Sequence, residues 1–118
     1  MAKVLIVDDA NADRLLLERL VAHEGHSVIS AVSADDALTK IRSELPALIF
    51  MDVNMPGMDG FTAARQLASD PRTKGIPIIF VTAKNQKADR VFAQILGARS
   101  FITKPYTADQ IKEQLLKL

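Results

Sequence analysis

Apolar residues follow two alternating rhythms along this chain. Val4-Leu5-Ile6-Val7, Ala47-Leu48-Ile49-Phe50-Met51 and Ile76-Pro77-Ile78-Ile79-Phe80-Val81 are nearly continuous apolar runs. Runs without polar alternation are what strands buried on both faces look like, as in a parallel sheet covered by helices. Ser100-Phe101-Ile102 is a briefer run, and Ser27-Val28-Ile29 with Ala31-Val32 is a fifth, weaker strand. Pro77 stands near the start of its run, where a missing N–H is tolerated. Between the runs the spacing turns helical. Leu16, Leu17, Leu20 and Val21 make one stripe, stopped at Gly25. Ser33 with Asp36 resembles a capping box for a second helix carrying Ala37, Leu38 and Ile41. Phe61, Ala64, Leu67 and Ala68 predict a third, ended by Asp70-Pro71. Ala88, Val91, Phe92, Ile95 and Leu96 predict a fourth, closed by Gly97. Thr107 with Gln110 caps a fifth, carrying Ile111, Leu115 and Leu118. Strand followed by helix, five times over, requires right-handed crossovers. The expected class is α/β, a mainly parallel sheet with helices on both sides.

Composition narrows the partners. The 118 residues suit one domain, taken as 1–118. Fifteen Lys and Arg against fourteen Asp and Glu leave a charge of +1, too little to hold a polyanion, so nucleic acid and anionic membranes are not expected partners. The chain has no cysteine, which removes disulfides, thiolate metal sites and thiol nucleophiles. The first apolar run stops at Asp8-Asp9, too short for a signal-peptide core, and no stretch reaches the ~18 apolar residues of a membrane span. A cytoplasmic location is expected.

Chemistry collects where the strands end. The first run ends in Asp8-Asp9, the Ala47–Met51 run in Asp52, the Ile76–Val81 run in Thr82, and the last in Thr103-Lys104-Pro105. Ligands of open parallel sheets bind at this carboxyl edge, near the point where strand order reverses. Asp or Thr after a single strand reads as a turn or helix cap. The set reads differently, because its carboxylates repel. Two charges ~4 Å apart at an effective dielectric of about 20 cost on the order of 4 kcal/mol. Gathering them calls for a cation, and oxygen-only ligands point to Mg²⁺, with Lys104 as a second positive charge. A hard cation, a carboxylate, a hydroxyl and a lysine together fit phosphoryl transfer, with one Asp able to carry an aspartyl phosphate.

Four motifs carry a resemblance. Val4–Asp9 (VLIVDD), Met51–Gly60 (MDVNMPGMDG), Val81–Ala83 (VTA) and Phe101–Pro105 (FITKP) resemble the receiver domain of two-component response regulators, in order and across the whole chain. The resemblance implies a flavodoxin-like, doubly wound, five-stranded parallel sheet of order 2-1-3-4-5 with five helices. It implies Asp52 as phosphoacceptor and Asp8, Asp9, Asp52 and the Asn54 backbone carbonyl as Mg²⁺ ligands. Thr82 matches the hydroxyl that moves toward the phosphoryl group, Ala83 its small neighbour, and Lys104 the lysine that pairs with phosphoryl oxygens. Phe101 matches the switch aromatic, without the hydroxyl of a Tyr, and Pro105 a proline with a cis preceding bond. Gly57 and Gly60 fit the tight loop after the acceptor. Lys84 is basic at a position that varies in the family and influences how long the phosphoryl group survives.

The implied function is a phosphorylation-activated signalling switch. A histidine kinase donates the phosphoryl group to Asp52. The fourth helix, fifth strand and fifth helix, including Arg90, Gln94 and Lys112, then engage a downstream protein. Catalysis is limited to the protein's own phosphoryl transfer and autodephosphorylation. The chain ends at Leu118, after the fifth helix, so signalling through a protein partner is expected, as in chemotaxis or twitching regulators or phosphorelay shuttles; an excised receiver would carry the same sequence. A monomer or a phosphorylation-dependent dimer is expected.

Two other classes fit the sequence less well. A Mg²⁺-dependent phosphatase with an Asp nucleophile would need a lid or pocket insertion that these short connections lack, and Asp52-Val53-Asn54 has no second carboxylate as acid. A flavodoxin-like cofactor binder would need a Gly- or Ser/Thr-rich phosphate loop where Asp8 to Asp13 is acidic. His23 and His26 flank Gly25 and read as solvated polar residues, and Met51, Met55 and Met58 as packing. Phe92 fits either core or an exposed anchor.

Overall fold

The computed structural model describes residues 2–118. Strands and helices alternate throughout: β1 (Lys3–Val7), α1 (Asn11–His23), β2 (Ser27–Ala31), α2 (Ala34–Glu44), β3 (Leu48–Met51), α3 (Gly60–Ser69), β4 (Ile78–Thr82), α4 (Lys87–Ile95), β5 (Ser100–Thr103) and α5 (Ala108–Leu115). Every strand pair is parallel, in the order β2-β1-β3-β4-β5. From β1 the chain steps outward to β2, then returns to build β3, β4 and β5 on the other side. Strand order therefore reverses between β1 and β3, whose carboxyl ends carry Asp8 and Asp52. The register pairs Val7 with Met51, and the Asp52 N–H donates to the Val7 carbonyl at 3.0 Å, so the two acids leave neighbouring strands at one level.

The unalternating strand sequences have a direct physical reading. Successive side chains point to opposite sheet faces, and here both faces are covered. Leu5, Val7, Ile49, Met51 and Phe80 pack with Ala37, Ile41, Phe61, Leu67 and Ala93 of α2, α3 and α4. Val4, Ile6, Leu48, Phe50, Ile79 and Val81 pack with Leu17, Val21, Ile111 and Leu115 of α1 and α5. Each fully buried large aliphatic or Phe side chain stabilises the fold by roughly 1.5–3 kcal/mol. Phe61 ties the first layer together, meeting Phe80 and Phe92 edge-on with centroids 5.0 and 4.9 Å apart.

Several apolar residues lie elsewhere than their spacing predicts. Leu16, Ala68, Val91, Ile95 and Leu118 are exposed, because each helix touches the sheet along one row only. On α4 that row is Phe92 and Ala93, continued by Leu96 at the helix end, which leaves Val91 and Ile95 facing solvent. Phe92 is thereby a packing residue. Val32, Ala47, Ile76 and Pro77 lie outside the strands, although the Pro77 carbonyl still accepts from Ile49. The Ser33 cap forms only in part. Ser33 Oγ accepts from Asp36 N at 3.1 Å, but the Asp36 carboxylate accepts from Val32 N, one residue before the cap. A full capping box closes the start of α5, between Thr107 and Gln110. His26 is half-buried, and its Nδ1 accepts from Ala2 N at 3.1 Å, so it helps fix the first strand instead of lying free in solvent.

Candidate functional site

Four acids and a lysine meet at the carboxyl edge. Asp8, Asp9 and Asp52 each present a carboxylate oxygen within 4.8 Å of the others. Asp8 and Asp52 are buried and Asp9 is exposed. Lys104 reaches in from the end of β5, donating to Asp8 Oδ2 at 2.7 Å, Asp13 Oδ2 at 2.9 Å and Asp52 Oδ2 at 3.0 Å. The Lys104–Pro105 peptide bond is cis.

Backbone geometry fixes the acids. Asp52 Oδ1 accepts from Asn54 N at 3.2 Å while Oδ2 takes the lysine, so both oxygens are held and the carboxylate plane is set. Asp8 Oδ1 accepts from Ala10 N at 3.0 Å, and the Asp8 carbonyl from Arg14 Nη1 at 3.0 Å, which ties the strand end to α1. Gly60 opens α3 against Asp52: a Cβ there would stand 2.2 Å from the Asp52 carbonyl oxygen. Only glycine permits that approach. Gly57, with φ +77°, supplies the left-handed turn between them.

Electrostatics favour a cation. Burial is the largest influence on Asp8 and raises its carboxyl pKa above the ordinary value, with Asp52 nearby adding to it. Hydrogen bonds from Lys104 and Ala10 oppose the rise without cancelling it. Burial acts to lower the Lys104 pKa, but three carboxylate hydrogen bonds outweigh it, and the ammonium is held charged well above its usual range. One ammonium among four acids leaves an uncompensated negative charge. An all-oxygen donor set in this state suits a hard divalent ion such as Mg²⁺, and the residues present fit one.

The remaining predicted residues lie on β4, on β5 and in the loop after β4. Thr82 is fully buried at the end of β4; its Oγ1 accepts from Lys84 N at 3.3 Å, and among the described residues it makes no hydrogen bond to the acids. Ala83 is exposed, beside Lys104 in a cleft of about 370 Å³ that also contains Asp13, Leu16, Pro105 and Tyr106. The Lys84 ammonium lies 3.6 Å from Asp89. Strand alternation puts Thr82, Phe80 and Phe101 on one sheet face, with Phe101 opposite Phe80 in register and half-buried.

The contacts of two residues are not visible in the sequence. Asp13 joins the lysine, although an acid in the first turn of a helix reads equally as compensation for the helix dipole. Arg90, placed on a partner face only, also bonds Thr103 Oγ1 at 2.6 Å and Asn85 Oδ1 at 3.1 Å, with its guanidinium carbon 5.0 Å from the Phe101 ring centroid. Its signal was spacing across strands, which a linear reading does not display.

Known proteins are similar to this chain in sequence and fold. Protein PilH of Pseudomonas aeruginosa is 41% identical over 117 residues, covering 99% of this chain and 93% of PilH. Response regulator PleD of Caulobacter vibrioides is 42% identical over 104 residues, and there the chain spans only 23% of the relative's length. The solved structure of the Vibrio cholerae chemotaxis protein CheY4 superposes with a TM-score of 0.92 at 28% identity, covering 99% of this chain and 98% of that one. Residues 4–116 match the family described as the response regulator receiver domain. With the 2-1-3-4-5 sheet and the acids at its switch point, this makes the chain a member of the receiver-domain family of two-component response regulators.

Proposed function

We propose that Asp52 is the phosphoacceptor of a signalling switch occupying residues 1–118, charged by a histidine kinase and read by a downstream protein. The observation that carries this reading is the grip on the Asp52 carboxylate, one oxygen on Asn54 N and the other on Lys104, inside a cation-ready cluster of acids.

Asp8, Asp9, Asp52 and the Asn54 carbonyl would hold Mg²⁺. When bound, the ion neutralises charge on the phosphoryl oxygens. Asp52 attacks the phosphorus of a phosphohistidine. The P–N bond breaks, its electron pair returns to the imidazole, and the imidazole regains a proton from solvent. Lys104 donates to a phosphoryl oxygen. Thr82 turns its hydroxyl toward the same group, past the small Ala83. Water later attacks the phosphorus, inorganic phosphate leaves and the carboxylate is restored, so no external substrate is turned over. Lys84, held by Asp89, stands at the rim and tunes how readily that water enters.

Output follows from sheet alternation. Inward movement of Thr82 vacates space on the face that Phe101 shares, and Phe101 rotates into it. Arg90 lies over that ring and bonds both Asn85 and Thr103, so the movement reaches α4. Exposed Val91 and Ile95, at 45% and 73%, lie on this helix near a groove of about 350 Å³ lined by Arg90, Gln94, Arg99 and Ser100. With α5 and Lys112 they form the proposed protein-docking face. Among the described residues no helix is long and apolar enough to cross a membrane.

The test is labelling with acetyl phosphate and Mg²⁺. Wild-type protein is expected to take up one acid-stable, base-labile label, and Asp52→Ala none. Stoichiometric label on Asp52→Ala would remove the acceptor assignment.

A further inference from the structure

Asp13 stands apart from the other acids. It lies outside the three-carboxylate cluster suited to a cation, yet it takes one of the hydrogen bonds of Lys104. An ammonium has three protons to donate. Asp8, Asp13 and Asp52 receive them at 2.7, 2.9 and 3.0 Å, so Lys104 is saturated. Esterified Asp52 passes its own share of the three protons to one phosphoryl oxygen, and the dianionic phosphoryl group draws a second, so Asp8 or Asp13 must also give way.

Exposure decides which. The Asp8 and Asp52 side chains are 7% and 9% exposed, and that of Asp13 is 50%. A buried carboxylate that loses its ammonium is left without solvation, whereas an exposed one exchanges it for water at little cost. Asp8 and Asp52 also serve the cation cluster. Among the described residues Asp13 pairs with the lysine alone.

The geometry points to Asp13 as a displaceable anchor of Lys104, holding the ammonium beside Asp52 before phosphorylation and yielding it to the phosphoryl group afterwards. This rests on Asp52 being the acceptor. Two consequences follow from charge and position. Before transfer, Asp13 keeps Lys104 in place but adds a negative charge that opposes an anionic phosphodonor. After transfer, its carboxylate is released at the head of α1, beside exposed Leu16 and the Tyr106 cleft. Phosphorylation is therefore displayed on the α1 side of the molecule as well as on α4 and β5.

The competing role for Asp13 is that of a helix-terminus charge only. Full-length wild type, Asp13→Asn and Asp13→Ala separate the two. In the unmodified protein, the ¹⁵N-bound ammonium signal of Lys104 is expected to be protected from exchange, and to be lost into exchange with water in both variants. With acetyl phosphate and saturating Mg²⁺, both variants are expected to be labelled faster, by about threefold to tenfold for removal of one nearby like charge. Added salt should shrink that gain. An unchanged Lys104 signal and labelling rate, with only a lowered melting temperature, would leave Asp13 as a helix-terminus charge and overturn the anchor. Absence of any label on wild-type Asp52 would instead overturn the acceptor reading and the yielding step with it, while the ammonium comparison in unmodified protein still judges the anchoring step.

Discussion

Asp8 shows at the scale of one residue why this site is built for charge compensation rather than for stability. Its carboxyl pKa is raised chiefly by burial, so the folded state prefers the proton more than the unfolded chain does. For a raised pKa, the stabilising contribution is complete below the ordinary value of 3.8 and disappears as pH climbs through the folded value. Asp8→Asn is therefore expected to melt higher than wild type at neutral pH without divalent ions. The gap should close as pH falls toward 4. Thermal melts of both proteins across pH check this. Added Mg²⁺ should stabilise wild type more than the variant, because ligand binding to the folded state alone raises stability. A variant less stable than wild type at neutral pH would mean that the Lys104 pairing outweighs desolvation.

At the scale of elements, the site depends on how helices start against the sheet. The first residue of α3 lies on the backbone of the proposed acceptor, where an added methyl would meet the Asp52 carbonyl at 2.2 Å. Gly60→Ala should force α3 away, destabilising the fold by roughly 2 kcal/mol or more through overpacking, and slowing labelling of the surviving folded protein. Denaturant melts and acetyl phosphate kinetics measure both effects. Thr107→Ala removes the cap of α5 and should cost about 1 kcal/mol, with labelling unchanged. Element order and type were legible in the sequence, because continuous apolar runs and 3.6-residue stripes are local signals. Facing was less so. Five apolar residues of the α4 stripe were visible, but only the sheet decides that Phe92 turns in and Ile95 out. The acids were legible because each follows a strand directly. Asp13 and Arg90 were not, since their partners lie 91 and 13 residues away in the chain.

On the scale of the whole molecule, one sheet edge joins acids from β1 and β3 to a lysine from β5, and one sheet face joins Thr82 to Phe101 and α4. The proposed chemistry and readout are thereby separable. Lys104→Ala should still accept a label but lose the phosphorylation-dependent gain in affinity for its protein target, which titration with and without phosphodonor reveals. Removal of Mg²⁺ by a chelator should stop labelling and leave the circular dichroism spectrum unchanged, since both hydrophobic layers are complete without the ion. The side chains converging on the β1–β3 switch point are proposed to make Asp52 a phosphoryl acceptor. Peptide mapping by mass spectrometry after treatment with acetyl phosphate and Mg²⁺ addresses this most directly. The expected result is a single phosphoryl group on the peptide containing Asp52; modification confined to any other peptide, or none at all, would contradict it.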